Sequence, residues 1–132
     1  MRVATVALLL ILAGCGSAPR RSSPVRSAEV QGTRDATWAS SASEFRRYVG
    51  WRVAYHCPPG GTAHSVWGSG PYTDDSSVCT AAVHAGALTL ARGGRVVIEI
   101  QRGRDTYYGS HRQGITTLDY GVWGGSFVVV RE

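Results

Sequence analysis

The four Trp, six Tyr and two Phe residues of this 132-residue chain all lie at or after Trp38. Aromatic side chains supply much of the apolar area that a small core buries. The preceding stretch, 16–35, contains none of them and is rich in Ser, Pro and Arg. Such a composition cannot bury enough apolar surface to offset the entropy lost when a backbone becomes ordered. The sequence therefore predicts a flexible tether that ends at residue 35 and a folded domain over 36–132.

The chain begins with Met1 and Arg2, which are followed by an apolar run. Positions 3–13 are almost wholly apolar, but they fall far short of the roughly 20 residues that a membrane-spanning helix needs. This pattern is typical of a secretory signal peptide, here residues 1–14. The run ends in LAGC at 12–15, which resembles the lipobox of bacterial lipoproteins. The resemblance implies that residues 1–14 are removed and that Cys15 carries acyl chains such as palmitate.

Lipidation of Cys15 would place the domain outside the cytoplasm. Several acyl chains on one residue give a firm membrane anchor, whereas a single chain does not. Gly16 follows the cysteine and no Asp is present there, which by resemblance to Gram-negative sorting rules favours the outer membrane. We therefore expect a lipid-anchored protein of the cell envelope. The alternative is ordinary secretion, with cleavage nearby and no lipid on Cys15.

Two cysteines remain for the domain once Cys15 is assigned to lipid. A domain of about 97 residues buries a modest core, so a covalent cross-link would help it. In an exported chain, Cys57 and Cys79 are expected to form one disulfide, which would contribute about 3 kcal/mol. A zinc site would need two further well-spaced ligands, and the sequence has neither a CxxC nor an HxH pattern.

The stretch from Asp74 to Gly86 predicts the one clear helix, over about 75–86. Apolar residues recur at helical spacing, at Val78, Ala81, Ala82 and Ala85. The Asp and Ser residues at 74–77 offer capping oxygens, and we expect Asp74 and Asp75 to cap its start and to complement its dipole. Because nearly every face is apolar and the residues are small, the helix should be buried. His84 is then expected to be a hydrogen-bonded core residue rather than a ligand.

Short strands are expected around this helix. Alternating apolar residues indicate a strand over 95–101, and an apolar run indicates a central strand over 126–131. Positions 51–56 and 65–67 are shorter candidates, and glycine pairs between these segments indicate turns. The expected fold class is α+β, a single small domain with one central helix wrapped by short irregular strands.

Three segments carry a family resemblance. They are CPPGG at 57–61, SVWGSGPYTDDSSVC at 65–79 and AAVHAG at 81–86, and together they resemble the LCCL domain. Glycines at 93–94, YGS at 108–110, GI at 114–115, Trp123 and SF at 126–127 match the later pattern, so the similarity covers 43–130. The resemblance implies a central helix wrapped by irregular strands and, of the family's disulfides, the one that ends at Cys79.

This sequence departs from the family at two positions. Animal members usually carry a second disulfide, but Thr62 stands where one of its cysteines would be. Gln113 stands where Asn is common.

The resemblance implies extracellular ligand recognition, with lipopolysaccharide-like or glycan ligands, and no established catalytic residues. The sequence agrees, since it has no GxSxG or HExxH motif and no alternating acidic loop for calcium. Cys79 and His84 are five positions apart on the predicted helix and would point to different faces. We expect no catalytic residue, no metal and no cofactor.

Loop residues that carry ring faces and donors are the candidates for ligand contact. Tyr and Trp stack on sugars or acyl chains, and Arg pairs with phosphate or carboxylate. The alternative for Trp67 and Tyr72 is packing over the helix as core of the small domain, and we expect this of Trp67. The predicted ligand-binding residues lie among glycines that can present them to solvent: Tyr72, Tyr107, Tyr108, His111 and Arg112.

The formal charge of +5 does not indicate a nucleic-acid partner. It divides into +1 in the signal peptide, +2 in the tether and +2 in the domain, where nine Arg face seven acids. The nearly balanced domain lacks the basic surface that a nucleic-acid binder needs. The leading hypothesis is a non-catalytic binding module for a glycan, lipid or other envelope component. The alternatives are a module that docks on another envelope protein and an uncharacterised hydrolase.

Overall fold

The computed structural model describes residues 14–19 and 28–132. The predicted signal peptide lies outside the described residues except for Gly14, and so do residues 20–27 of the predicted tether. Cys15 is exposed and forms no disulfide. Within the described part, no helix has the length and apolar character that crossing a membrane requires.

The described residues form one α-helix and seven strands. In chain order they are β1 (Val30–Asp35), β2 (Arg52–Cys57), β3 (Tyr72–Thr73), α1 (Val78–His84), β4 (Gly94–Arg104), β5 (His111–Arg112), β6 (Ile115–Thr116) and β7 (Trp123–Val130). A 3₁₀ turn over Ser43–Phe45 precedes β2. Five strands form a sheet in the order β1-β2-β4-β7-β3, and β5 and β6 form a separate hairpin. The α+β class and the single small domain are confirmed.

The core lies between α1 and one face of this sheet. All seven residues of α1 are buried, and Val96, Ile98 and Ile100 on alternate positions of β4 belong to the same core cluster. The disulfide between Cys57 and Cys79 joins the end of β2 to the first turn of α1, with Cα atoms 5.8 Å apart. The predicted central strand is confirmed in β7, which lies between β4 and β3. The candidate strand at 65–67 forms one isolated bridge, between Trp67 and Leu118.

The folded domain begins earlier than the sequence predicted. Strand β1 falls inside the segment expected to be a tether and pairs in parallel with β2, Thr33 opposite Ala54. Its side chains are exposed for the most part, so main-chain pairing rather than apolar burial orders it. Apolar composition reflects burial, so the exposed strand β1 leaves no signal in it.

Helix α1 is shorter than predicted at both ends, and Ser77 caps it. The Ser77 side chain accepts a hydrogen bond from the Thr80 N–H at 3.1 Å, which satisfies one of the free donors of the first turn. The capping role predicted for Asp74 and Asp75 was wrong. Asp74 turns instead toward the sheet and binds other partners, and Asp75 is exposed.

Candidate functional site

Asp74 is a fully buried carboxylate held by three donors. Arg46 donates to both of its oxygens, from Nε and Nη2, each at 2.8 Å. Trp123 Nε1 donates to Oδ1, also at 2.8 Å, and the Arg46 guanidinium lies 5.2 Å from the centre of a Trp123 ring. A Cβ on Gly125 would overlap the carboxylate, so glycine is required at that position of β7. The cluster fastens the segment before α1 to the edge of the sheet.

The charge of Asp74 is stabilised inside the domain. Burial by itself would raise the pKa of this carboxyl, because desolvation disfavours the ionised form. The hydrogen bonds from Arg46 and Trp123 and the positive charge of Arg46 outweigh burial and hold the pKa below its usual range. Asp74 is therefore an ionised structural group at neutral pH.

A chain of hydrogen bonds starts at Tyr72 and passes through His84. The Tyr72 hydroxyl lies 2.9 Å from His84 Nδ1, and His84 Nε2 lies 3.0 Å from Ser110 Oγ. Ser110 Oγ lies 2.7 Å from Ser69 Oγ, and the Ser69 hydroxyl donates to the Tyr108 carbonyl at 2.6 Å. The chain thus connects the centre of the core with two surface loops.

The direction of this chain follows from donor satisfaction. Tyr72 is 1% exposed, and its hydroxyl has no other hydrogen-bond partner among the described residues, so its proton must go to Nδ1 of His84. Nδ1 is then an acceptor, and the ring proton resides on Nε2, which donates to Ser110. Ser110 in turn donates to Ser69, because the Ser69 proton is committed to the Tyr108 carbonyl. Every hydroxyl in the chain has an acceptor.

Two pKa shifts agree with that direction. Burial raises the pKa of Tyr72 to about 12, which keeps its proton available for donation. Burial also lowers the pKa of His84, and contact with Ser110 offsets this only in part. His84 is therefore neutral at pH 7, and it is buried and hydrogen-bonded as the sequence predicted. Since Nε2 carries the proton, His84 does not act as a base toward Ser110 in this arrangement.

The structure separates the predicted ligand-binding residues into two groups. Tyr72 and Tyr107 are 1% and 2% exposed, so the prediction that both are presented to solvent was wrong. The Tyr107 hydroxyl accepts from the Arg104 N–H at 3.0 Å, and the Tyr72 ring packs on Phe127 with centroids 5.6 Å apart. In a domain this small, few large side chains can be spared from the interior.

The other predicted contact residues lie on the surface. Tyr108 is 74% exposed, and His111 and Arg112 are exposed in β5. His111 Nδ1 lies 2.7 Å from Thr116 Oγ1 across the β5–β6 hairpin, and Arg112 Nη1 donates to the Ser69 carbonyl at 3.2 Å. Of these three residues, Tyr108 and Arg112 are connected to Ser69 by hydrogen bonds, whereas His111 bonds across the hairpin.

A pocket of about 240 Å³ lies between the Ser69–Pro71 segment and the Thr106–Tyr108 loop. Buried Tyr107 and exposed Tyr108 both line it. Arg104 at the end of β4 lines it as well and was missed by the sequence analysis, since a lone arginine at a strand end carries no distinguishing signal. The hydrogen bond from Ser69 to the Tyr108 carbonyl joins the two walls. The hydrogen bonds that run from His84 through Ser110 to Ser69 therefore hold the walls at this spacing.

No metal centre is formed by the described residues. Across 14–19 and 28–132, no three His, Cys, Asp or Glu side chains approach closely enough to hold an ion. What the pocket offers is a guanidinium, a phenol ring and backbone polar groups, a combination suited to an anionic ligand with an apolar or sugar face.

Comparison with known proteins decides the family. The model of the LCCL domain matches residues 31–127. The chain belongs to the LCCL-domain family. The match begins within β1, in agreement with a domain that starts before residue 36. It also includes the helix, the disulfide and both walls of the pocket.

Relatives that carry an LCCL domain are much longer than this chain. Vitrin of Bos taurus is 40% identical over 75 residues, 55% of this chain and 11% of vitrin. Clotting factor C of Tachypleus tridentatus is 40% identical over 96 residues, 71% of this chain and 9% of the relative. Cochlin of Cavia porcellus is 35% identical over 77 residues, 57% of this chain and 14% of cochlin. The similarity thus covers a small part of each relative.

Proposed function

We propose that this chain is a non-catalytic LCCL-type binding module that recognises an anionic group on an envelope glycan or lipid. The observation that carries the proposal is the pocket between Ser69–Pro71 and Thr106–Tyr108, with Arg104 and Tyr108 on its walls. Arg104 would pair with a phosphate or carboxylate, and the Tyr108 ring would cover a sugar or acyl face. Arg112, bonded to the Ser69 carbonyl, would add a second cation near the rim.

The non-catalytic role rests on the hydrogen-bond direction at His84. The Tyr72–His84–Ser110 series has the residue types of a nucleophile with its base, which is the arrangement a hydrolase would use. Here the Nε2–H of His84 donates to Ser110, because buried Tyr72 has no acceptor but Nδ1 in the described part of the chain. These residues therefore serve to position the pocket walls.

The location belongs to the same proposal. Cys15 would carry the lipid, after removal of residues 1–14, and the domain would lie on the extracytoplasmic side of the envelope, at the outer membrane. The exposed thiol of Cys15 is accessible for modification. Radiolabelled palmitate should enter the parent chain and should be absent from Cys15→Ser. Label that survives the substitution would refute lipidation at this residue.

Ligand recognition is tested with an array of anionic and neutral glycans and lipids, followed by titration of the best binder. Arg104→Gln and Tyr108→Ser should each weaken binding of the anionic ligand by at least about tenfold, the loss of one charge-assisted contact or one ring face. Arg92→Gln is the matched control, because Arg92 is an exposed arginine in the 89–93 turn, away from the pocket. Equal losses in all three variants would indicate a general charge effect.

Docking on another envelope protein is the second candidate. Leu118, Tyr120 and Val122 recur at alternate positions of one segment and are 50%, 43% and 75% exposed. Clustered exposed apolar side chains often mark a protein interface. Co-purification of a protein partner that is lost in Tyr120→Ser, with no binding on the array, would favour this candidate.

A further inference from the structure

Tyr48, Val49 and Trp51 form an exposed apolar turn that lies outside the proposed pocket. Their exposed fractions are 40%, 50% and 38%. The rings of Tyr48 and Trp51 stack with centroids 4.3 Å apart and an angle of 22° between their planes. Two large rings and a valine thus face solvent together within four consecutive positions, and their exposed area contributes nothing to the stability of the fold.

The backbone holds this turn in one conformation. The Trp51 N–H donates to the Tyr48 carbonyl at 3.0 Å, which closes the turn. The Gly50 N–H donates to the Ile100 carbonyl, and the Ile100 N–H donates to the Trp51 carbonyl, both at 2.8 Å. Gly50 has φ of 89°, a conformation that favours glycine. The exposed rings are therefore fixed to β4, and little entropy would be lost if they bound a surface.

Arginines surround the turn. Arg47 precedes it, and Arg102 and Arg104 line a depression of about 320 Å³ together with Val49. None of the three arginines forms an ion pair with a carboxylate in the described part of the chain. The acid in the depression, Glu99, is paired with Arg52 at 3.2 Å. The surface around the rings therefore carries excess positive charge.

We propose that the Tyr48–Trp51 turn docks the domain on an anionic lipid bilayer. Trp and Tyr rings are favoured at the headgroup level of membranes, and arginines beside them would pair with lipid phosphates. A protein partner fits less well, since a stable protein interface buries roughly 800 Å² on each side, and the turn presents three apolar side chains. This contact is separate from the lipid on Cys15 and goes beyond the proposed recognition of a single ligand.

The experiment measures partition of the full chain carrying Cys15→Ser onto phosphatidylcholine vesicles with and without phosphatidylglycerol. All variants share this background, so any contribution of the N-terminal residues is the same in each. Binding should be stronger on the anionic vesicles. Tyr48→Ser combined with Trp51→Ser should lower the partition coefficient by at least about tenfold, because two rings no longer enter the interface. Arg47→Gln and Arg102→Gln should each lower it about fivefold, and only on anionic vesicles.

Controls separate this contact from general charge and from the pocket. Arg92→Gln removes the same charge beside Gly93, at the end of the β2–β4 ladder opposite the turn, and should change partition much less than Arg47→Gln. Tyr108→Ser removes an exposed ring from the proposed pocket and is measured both for ligand binding and for partition. Its ligand binding should be weakened, whereas its partition should fall much less than that of the turn variants. A fall in partition as large as in the turn variants would place the bilayer contact at the pocket and overturn this proposal.

A spectroscopic readout reports on the turn itself. Brominated lipids quench tryptophan fluorescence at short range, and the quenching should be lost in Trp51→Phe, which keeps an apolar ring. Circular dichroism of each variant checks that the fold persists. The proposal is overturned if the double serine variant partitions like the parent, if Arg92→Gln matches Arg47→Gln, or if the turn variants instead lose a protein partner or self-association.

Discussion

The segment from Trp67 to Gly86 and the loop from Arg104 to Arg112 carry much of the family pattern, yet they use polar side chains in opposite ways. In the first segment, Asp74 and His84 are buried and bonded within the domain. In the second, Tyr108 and Arg112 face solvent beside a pocket. A small domain has few apolar residues to spare, so its most distinctive polar residues support the fold, and the less distinctive loop is left free to bind.

The two regions are nevertheless connected. His84 on α1 reaches the loop through Ser110, and Ser69 completes the connection to the Tyr108 carbonyl. The buried segment would therefore affect the proposed binding indirectly, by holding the pocket walls at a fixed spacing. Variants of the buried polar residues should therefore lower stability, whereas variants of the exposed loop residues should leave stability nearly unchanged.

The largest loss of stability is expected for Asp74→Ala. It removes three hydrogen bonds and leaves the Trp123 Nε1–H without its acceptor. The free energy of unfolding should fall by about 4 kcal/mol, measured from urea denaturation. The neighbouring Asp75→Ala is the control and should cost less than about 0.5 kcal/mol, because Asp75 is exposed. Similar losses in the two variants would contradict the buried network.

Removal of the disulfide should cost about 3 kcal/mol. The bond joins positions 22 residues apart. Its loss in Cys57→Ser combined with Cys79→Ser raises the conformational entropy of the unfolded chain, which lowers the free energy of unfolding by about 3 kcal/mol. A reductant should destabilise the parent chain similarly and should leave the double variant unchanged. A free-thiol assay on the denatured, non-reduced exported chain should detect neither of these cysteines, and detection of both would refute the bond.

Tyr72→Phe should cost about 2 kcal/mol, because it leaves Nδ1 of buried His84 without a donor. Nitrogen chemical shifts of His84 should report the Nε2–H tautomer in the parent and a changed tautomer balance in the variant. The matched variant Tyr108→Phe removes an exposed hydroxyl and should be within about 0.5 kcal/mol of the parent. Protonation of His84 on Nδ1 in the parent would contradict the direction of hydrogen bonding from Tyr72 to Ser110.

A smaller effect is expected from mild acid. The pKa of His84 is lowered in the folded state from a usual value of 6.5, so the unfolded chain binds more protons below that pH. The contribution of neutral His84 to stability is therefore fully present above about pH 6.5 and is lost as the pH falls toward the folded pKa. At pH 6 the loss from His84 is at most about 0.8 kcal/mol. The slope should be absent in His84→Gln, and a slope of opposite sign in the parent would contradict the assignment.

Periodicity and composition predicted most of the fold because burial produces those patterns. The helix, the β4 and β7 strands and the disulfide follow from apolar spacing and from cysteine number. Strand β1 could not be predicted in this way, since its exposed side chains carry no apolar pattern. Asp74, Asp75, Ser76 and Ser77 all carry oxygens that can cap a helix, so the sequence indicates the region where α1 begins, and the structure shows that Ser77 is the cap.

The candidate site was predicted in part. Tyr108, His111 and Arg112 lie on the surface as expected, whereas Tyr72 and Tyr107 are core. Adjacent residues such as Tyr107 and Tyr108 differ in burial because an extended backbone sends successive side chains to opposite sides. The sequence shows that one of two neighbours faces solvent, but it does not show which one.

The sequence by itself determined the family, the helix, the paired cysteines and the chain segment that carries the exposed tyrosine, because each is a local or repeated pattern of residue types. Only the tertiary structure decided that Asp74 binds Arg46 rather than the helix, that His84 donates to Ser110, and that Arg104 lies beside Tyr108. Those facts depend on residues far apart in the chain. Their partners are selected by the need to satisfy every buried donor and acceptor, which no local pattern records.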